Sequence, residues 1–454
     1  MNGYETLKAR AAEYGLRVPD LLALARQNDP FFCGSPAQEA HGRWFADLFD
    51  RFGFSTGVHL RRIHYQLVSQ REPILTHNGE PYENTEKCWV YLVAASKYAR
   101  TLGLVDVRAF VDQRNPDPVI HRWPYEGREP SFGFDDDYFA LRLNGISANL
   151  WPPALILPKP EVGGYDYTGA DQPYLLEVWV EKSTVTDVLE PVCRRLGANL
   201  VISAGFQSIT AAVALIRRAV QAHRPARVFY ISDFDPAGDR MPVAVARQVE
   251  YWIDRFGLDA EVGLTPLALI RDQVVAYELP RIPIKESDHR RAGFEQRHGE
   301  GAVELDALEA LHPGTLADLL AEAAAQYVDP DLPAAAHRAE ADAQMIVDQE
   351  WSAEIAEEMG QVDELRERVV TVYDRYRDRL ATLAAELDKE LEPLREEAEE
   401  IAEAVREKQA DFDPDLPPRA ESELEPPAED DWLFDSRRDY FTQLAAYRGE
   451  EVKT

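Results

Sequence analysis

The stretch Val228-Phe-Tyr-Ile-Ser-Asp-Phe-Asp-Pro-Ala-Gly-Asp-Arg240 decides how this chain is read. A run of strand-forming residues stops on two carboxylates, Asp233 and Asp235, and Pro236 and Gly238 then turn the chain toward a helix. Paired acids at a strand end are a place to hold a divalent cation through hard oxygen ligands. Upstream, Leu175-Leu-Glu-Val-Trp-Val-Glu-Lys182 repeats the pattern, a strand that ends on Glu181. An isolated Asp-x-Asp also suits a helix N-cap. Two strand ends that both stop on acids would repel one another, and a cation at their meeting point resolves the conflict.

Outward from that stretch, strand and helix patterns alternate. Strand-like runs fall at 175–180, 199–203, 228–232 and 260–264, with helical runs near 186–196, 209–222 and 242–256. Alternation of this kind predicts an α/β unit with a parallel sheet covered on both faces, and ligands then sit at the carboxyl ends of the strands. Glu181, Asp233 and Asp235 all fall at such ends.

The order Glu181-Lys182, then Gly205-Phe-Gln-Ser-Ile-Thr210, then Asp233-Phe-Asp-Pro-Ala-Gly238 resembles a Toprim domain. That is the metal-binding fold of topoisomerases, primases and certain nucleases, and the likeness covers about residues 174–270. It implies that Glu181 acts as general acid/base or metal ligand, and that Asp233 and Asp235 bind Mg²⁺, with Mn²⁺ as a substitute. Asp239 is a further acid beside the site, equally suited to the first turn of a helix. Glu304 and Asp306, in Val303-Glu-Leu-Asp-Ala-Leu308, are within possible reach of the same metal or are surface acids before a helix. Lys182, Lys285 and Arg290 are candidate phosphate contacts.

Nearer the N-terminus, Leu60-Arg-Arg-Ile-His-Tyr-Gln-Leu67 reads as a helix with Leu60, Ile63 and Leu67 on its apolar stripe. Tyr65 stands about 140° from Leu60, on the exposed side with Arg61 and Arg62. An exposed tyrosine between arginines suits a phosphate backbone, a surface tyrosine, or a domain contact. Arg-Arg-Ile-His-Tyr ahead of a Toprim-like unit is similar to the topoisomerase VI A subunit and its meiotic double-strand-break relatives. There a winged-helix domain supplies a nucleophilic tyrosine, and the partner protomer's Toprim domain supplies Mg²⁺. Here Arg62 stands where an acid is common, and His64 where an aromatic is common. By that likeness Tyr65 attacks the phosphodiester, leaving a 5′-phosphotyrosyl link and a free 3′-hydroxyl, with Arg61 or Arg62 stabilising the oxyanion. The chain also looks like prokaryotic and phage-associated Toprim proteins. Among these, the overcoming-lysogenization-defect and Wadjet defence families suggest a hydrolytic nuclease that uses metal-activated water.

At 454 residues the chain is too long for one ordinary core. We divide it into an N-terminal helical region (1–53), a winged-helix-like DNA-binding unit (54–112), a connection (113–170), and a Toprim-like domain with its extension (171–345). A coiled-coil or helical-hairpin segment (346–410) and an acidic, partly disordered tail (411–454) follow. From Val362 to Val405 apolar residues recur at spacings of three and four, a seam in need of a partner surface. Pro393 is expected to break or kink it. Residues 432–447 are expected to form a short terminal helix that docks on a partner.

The net charge of −32 makes any DNA-binding surface a basic patch on an acidic body. Between Glu386 and Asp431 lie 19 acids and 5 bases, so the remainder of the chain is acidic as well. Three scattered cysteines suit a reducing cytoplasm. No apolar run is long enough for a membrane span, and no signal peptide is visible. No GxxxxGK[ST] occurs, so strand passage would require a separate ATPase partner. A homodimer is expected, because the likeness puts tyrosine and metal in trans. Three functions follow: a Mg²⁺-dependent tyrosine transesterase acting on DNA, a hydrolytic Toprim nuclease, or a non-catalytic DNA-binding assembly subunit.

Overall fold

The computed structural model describes residues 3–26, 28, 30–111, 116–121, 128–135, 139, 141–144, 151–203, 208–376, 384–425, 427 and 432–449. The chain is mixed α/β, with a mostly parallel five-stranded sheet. Helices α1 (Gly3–Glu13), α2 (Pro36–Arg51), α3 (Leu60–Val68) and α4 (Glu86–Thr101) come first. Strands β1 (Ser131–Phe134) and β2 (Pro160–Gly163) pair antiparallel. Then β3 (Leu175–Val180), α5 (Thr186–Leu196), β4 (Asn199–Ile202), α6 (Ile209–Ala222), β5 (Ala226–Ile231), α7 (Met241–Phe256) and β6 (Val262–Ala268) alternate. Helices α8 (Arg271–Ala276), α9 (Arg291–His298), α10 (Leu305–Leu311) and α11 (Thr315–Ala325) follow. Three long helices come next, α12 (Leu332–Glu354), α13 (Ala356–Tyr376) and α14 (Ala384–Asp411). Strand β7 (Phe434–Asp435) and α15 (Tyr440–Arg448) close the series.

Two compact units result. One holds residues 1–125, 172–328 and 424–454, and the other residues 126–171 and 329–423.

In the first unit the strand order is β4-β3-β5-β6-β7, parallel except for β7. Every residue of β3 and of β5 is buried, which is why both read as near-continuous apolar runs. Leu176, Val178, Phe229 and Ile231 pack against Leu189 of α5 and Leu316 and Leu320 of α11. Trp179, Val228 and Tyr230 pack on the other face against Leu215 of α6 and Val249 of α7. Glu177 is the exception within β3. It is fully buried but held by Arg218 at 2.6 and 2.8 Å and by the Trp179 indole N–H at 2.8 Å, so its charge is paired rather than free.

In the N-terminal part, Phe45, Leu48 and Phe49 of α2 pack against Leu92, Ala95 and Ala99 of α4 and Ile63 and Leu67 of α3. Ser35 and Thr85 cap α2 and α4. The extended pieces are single bridges, Val58 with Phe110 and Leu75 with Pro81; among the described residues no longer strand pair forms a wing here. The expected helical region 1–53 is interrupted: Val18–Leu21 is a 3₁₀ turn, and turns follow over residues 22–26. The Asn28 amide donates to the carbonyls of Pro19 and Leu22 at 3.0 and 2.6 Å, taking acceptors that a continuing helix would use.

The second unit bears on three expectations. The seam closes within the chain: Leu365 and Val369 of α13 pack against Leu394 and Ala398 of α14. The pairs Arg368–Glu397 (2.5 Å) and Arg375–Glu390 (2.9 Å) show the two helices to be antiparallel. Its positions Leu380 and Leu383 lie outside the described residues. Helix α14 runs through Pro393 without ending, since that residue is exposed and the buried Leu391 and Leu394 hold the helix on either side of it. The first part of the acidic segment is engaged rather than loose. The Tyr165 hydroxyl donates to the Pro417 carbonyl, Arg419 pairs with Asp171 at 2.9 Å, and the Ser422 hydroxyl donates to Asp329 at 2.6 Å.

The end of the chain returns to its own sheet in the first unit. Phe434 and Trp432 are buried in the sheet's two cores, and the Tyr447 hydroxyl reaches Glu250 of α7 at 3.2 Å. No described helix is long and apolar enough to cross a membrane.

Candidate functional site

The strand order creates the site. The chain leaves β3 for β4 on one side, then crosses back to β5 on the other, so β3 and β5 are neighbours whose onward connections run in opposite directions. A crevice opens at the carboxyl ends of strands at such a switch point. Glu181 follows β3 directly, and its backbone N–H donates to the Ile231 carbonyl at 3.0 Å. Asp233 and Asp235 follow β5. The register of two adjacent parallel strands therefore sets the three acids side by side.

Each carboxylate is oriented by main chain through one oxygen. Glu181 Oε2 accepts from the Asp233 N–H at 3.0 Å. Asp233 Oδ1 accepts from the Leu305 N–H at 2.7 Å. Asp235 Oδ1 accepts from the N–H groups of Ala237 and Gly238 at 2.8 and 2.6 Å, which is the turn-capping role that its Pro-Ala-Gly context suggests. Among the described residues, Glu181 Oε1 and Asp235 Oδ2 have no hydrogen-bond partner. Asp233 Oδ2 is taken by the Lys182 ammonium at 2.9 Å.

The segment before α10 joins the site through a bridge between Phe234 and Val303. It brings Asp306 and Glu304 to 3.1 and 3.8 Å from Lys182 Nζ. Lys182, read as a DNA contact, is thus an internal counter-ion to three acids. The sequence signal for this was present in Val303-Glu-Leu-Asp306, but its proximity to residue 233 is a long-range fact.

Electrostatics match this geometry. Burial pushes Glu181 up to about 7, and the charges of Asp233 and Asp235 push in the same direction. Burial also raises Asp235, against the pull of its two backbone donors. Burial works against the Lys182 charge, but its bonds to Asp233 and Asp306 outweigh that and hold it above the usual lysine range. The Thr184 hydroxyl and Lys182 keep Asp306 below the usual carboxylate range despite partial burial. The Tyr230 hydroxyl, on β5, is fully buried without a partner among the described residues and feels the charge of Glu181.

Other expected residues stand apart from this cluster. Asp239 is held by Arg297 at 2.7 Å and His298 at 3.1 Å, an ion-pair role on the far side of the turn. Arg290 pairs with Asp288 at 3.0 Å, although its charge is also felt at Asp235. Lys285 makes no ion pair among the described residues. Tyr65 is 53% exposed, and its hydroxyl has no hydrogen bond among the described residues. Arg61 lies 5.4 Å from the Trp89 ring centre, and Arg62 is exposed. His64 is buried next to the tyrosine, with Nδ1 2.7 Å from the Tyr82 hydroxyl and Nε2 3.1 Å from Asn84 Oδ1. Both ring nitrogens are engaged, so His64 supports the helix rather than serving Tyr65. No contact joins Tyr65, Arg61 or Arg62 to the acids within the described chain. Residues 205–207 of the expected motif lie outside the described residues.

No protein-family model matches this chain, and no curated protein does either. Among the described residues, no three His, Cys, Asp or Glu side chains are already gathered closely enough to grip a metal ion. The donor chemistry nonetheless fits Mg²⁺. The acids offer hard oxygens, one from each of Glu181 and Asp235 without a partner among the described residues, and a third on Asp233 that carries the Lys182 ammonium.

Proposed function

We propose that this protein is a Mg²⁺-dependent DNA-cleaving enzyme of the Toprim type. The observation that carries this reading is the meeting of Glu181, Asp233 and Asp235 at the switch point, each fixed by a backbone N–H. A carboxyl group near pKa 7 beside two further acids is the electrostatic signature of a site built for added positive charge. Bound Mg²⁺ would be held by these three acids and would supply Lewis-acid stabilisation to phosphate oxygens. The chain's own groups do the rest. In the first reading Tyr65 is the nucleophile. Its phenolic oxygen loses its proton and bonds to phosphorus, and the bond from phosphorus to the 3′-oxygen breaks. The leaving oxygen takes up a proton, giving a 5′-phosphotyrosyl link and a free 3′-hydroxyl. Arg61 and Arg62, exposed on the same helix as Tyr65, offset the phosphate charge. Tyr65 makes no contact with the acids of its own chain, so this reading requires a second copy to bring the two together.

The same separation favours a second reading, in which water is the nucleophile and Tyr65 only binds DNA. One experiment distinguishes them. Wild-type protein, Asp233→Ala and Tyr65→Phe are incubated with plasmid and linear DNA and Mg²⁺ or Mn²⁺, then denatured to trap covalent adducts. Asp233→Ala is expected to lower cleavage by about 100-fold or more. Tyr65→Phe is expected to abolish both cleavage and adduct. Cleavage that survives Tyr65→Phe without an adduct establishes hydrolysis. Absence of cleavage in the wild type, with no effect of Asp233→Ala on any DNA response, leaves a DNA-binding assembly subunit.

A further inference from the structure

Lys182 stands where the proposed metal would need an oxygen. Its ammonium lies 2.9 Å from Asp233 Oδ2, 3.1 Å from Asp306 Oδ2 and 3.8 Å from Glu304 Oε2. The opposite oxygen of Asp233 is already committed to the Leu305 N–H at 2.7 Å. The Asp233 oxygen that no main-chain donor holds is thus the one that Lys182 occupies, and a cation taking that oxygen competes with the ammonium. Glu181 Oε1 and Asp235 Oδ2 carry no such obligation. The Tyr230 hydroxyl, which feels the charge of Glu181, is fully buried and has no hydrogen-bond partner among the described residues.

We propose that Lys182 is a built-in counter-ion that a divalent cation displaces from Asp233. The inference rests on the metal-dependent reading above and adds a competing cation to it. In the metal-free protein the ammonium keeps five neighbouring acids from repelling the two strand ends apart. On metal binding, the dication and the ammonium cannot share Asp233, because like charges within a few ångströms repel strongly in a partly buried site. Asp306 and Glu304 then retain the lysine. Those two acids thus act as the parking place for the displaced ammonium rather than as metal ligands. This design sets a threshold, since the site closes on metal only when the free metal concentration is high enough to outcompete the lysine.

The test measures Mn²⁺ binding directly, by titration calorimetry and by electron paramagnetic resonance of free Mn²⁺, without reference to activity. Lys182→Met and Lys182→Gln keep most of the side chain's length, one atom short of lysine, and remove its charge. Each is expected to bind Mn²⁺ on the order of tenfold more tightly than the wild type. Each should also show a larger gain in melting temperature on adding Mn²⁺. An affinity equal to or weaker than that of the wild type overturns the proposal. Crystals of the wild-type protein soaked in Mn²⁺ give an independent answer should both variants fold poorly. Lys182 Nζ should leave Asp233, and a bound Mn²⁺ with the 2.9 Å contact intact overturns the inference. Failure of the underlying reading looks different: neither the wild type nor either variant binds Mn²⁺, and Asp233→Asn changes nothing.

Discussion

Gly238 carries a steric obligation at the heart of the acidic turn. A Cβ at this position would overlap the Asp233 carbonyl oxygen and press on its carbonyl carbon. The Gly238 N–H also donates to Asp235, and its carbonyl accepts from the Ser232 hydroxyl at 3.1 Å. One residue therefore lets the backbone double back on the strand end and fixes the second acid. Gly238→Ala should force the turn open, costing about 1–3 kcal/mol of stability. It should also remove any stabilisation by Mn²⁺, read as melting temperature with and without the ion. A variant of unchanged stability that still responds to Mn²⁺ would show that the turn tolerates a side chain. The acids themselves are legible in the sequence, because a strand pattern that stops on carboxylates is local. What holds them is not legible. The Leu305 N–H and the Lys182 partners Glu304 and Asp306 come from about seventy residues beyond Asp233, and no periodicity announces that contact.

At the scale of elements, hydrophobic pattern alone reads the β/α alternation well. Helices at Thr186–Leu196 and Ile209–Ala222 coincide with the expected runs, because each shows one apolar face ended by a residue in the left-handed region, Gly197 or His223. Strand β6 runs further than expected, to Ala268, since its later residues pair with Tyr230 and Ile231 beyond the clear apolar run. The α13–α14 hairpin shows where local rules yield to packing. Proline removes a backbone donor and clashes with the preceding turn, yet α14 continues through Pro393 because Leu391, Leu394 and Ala398 are buried against α13. The cost of that proline remains in the folded protein. Pro393→Ala, at an exposed position, should therefore stabilise the hairpin by about 1–3 kcal/mol. Urea denaturation followed by circular dichroism checks it, and a lower midpoint than the wild type would mean that the ring itself makes a needed contact.

Across the whole molecule, the sheet that carries the site is completed by the far end of the chain. Strand β7 pairs antiparallel with β6, Gly263 opposite Asp435 and Leu264 opposite Phe434. Trp432 lies so close over Gly263 that a Cβ there would meet its ring at 2.9 Å, and its ring centre is 5.7 Å from the Arg227 guanidinium. Arg227 is itself buried among Tyr174, Tyr327 and Trp432 and paired with Glu261 at 2.8 Å, so the tryptophan walls in a charge as well as filling space. Beyond it, the Phe441 ring stacks on Tyr14 at 3.8 Å, and the Tyr440 hydroxyl donates to the Asp20 carbonyl at 3.1 Å. One C-terminal segment thus touches both the sheet and the first residues of the protein. Composition hides this, because an acid- and proline-rich stretch precedes Trp432 and reads as a loose tail. Trp432→Ala should leave a cavity beside the buried Arg227 and cost about 3–5 kcal/mol. Because β7 is only two residues long, the loss should also free the segment that follows it. Limited proteolysis of the variant is then expected to cut between Trp432 and Arg448 under conditions in which the wild type resists, together with a lower urea midpoint. Wild-type resistance in the variant would show that α15 is held by its contacts with Tyr14, Asp20 and α7 alone, and that the sheet edge does not depend on the tryptophan.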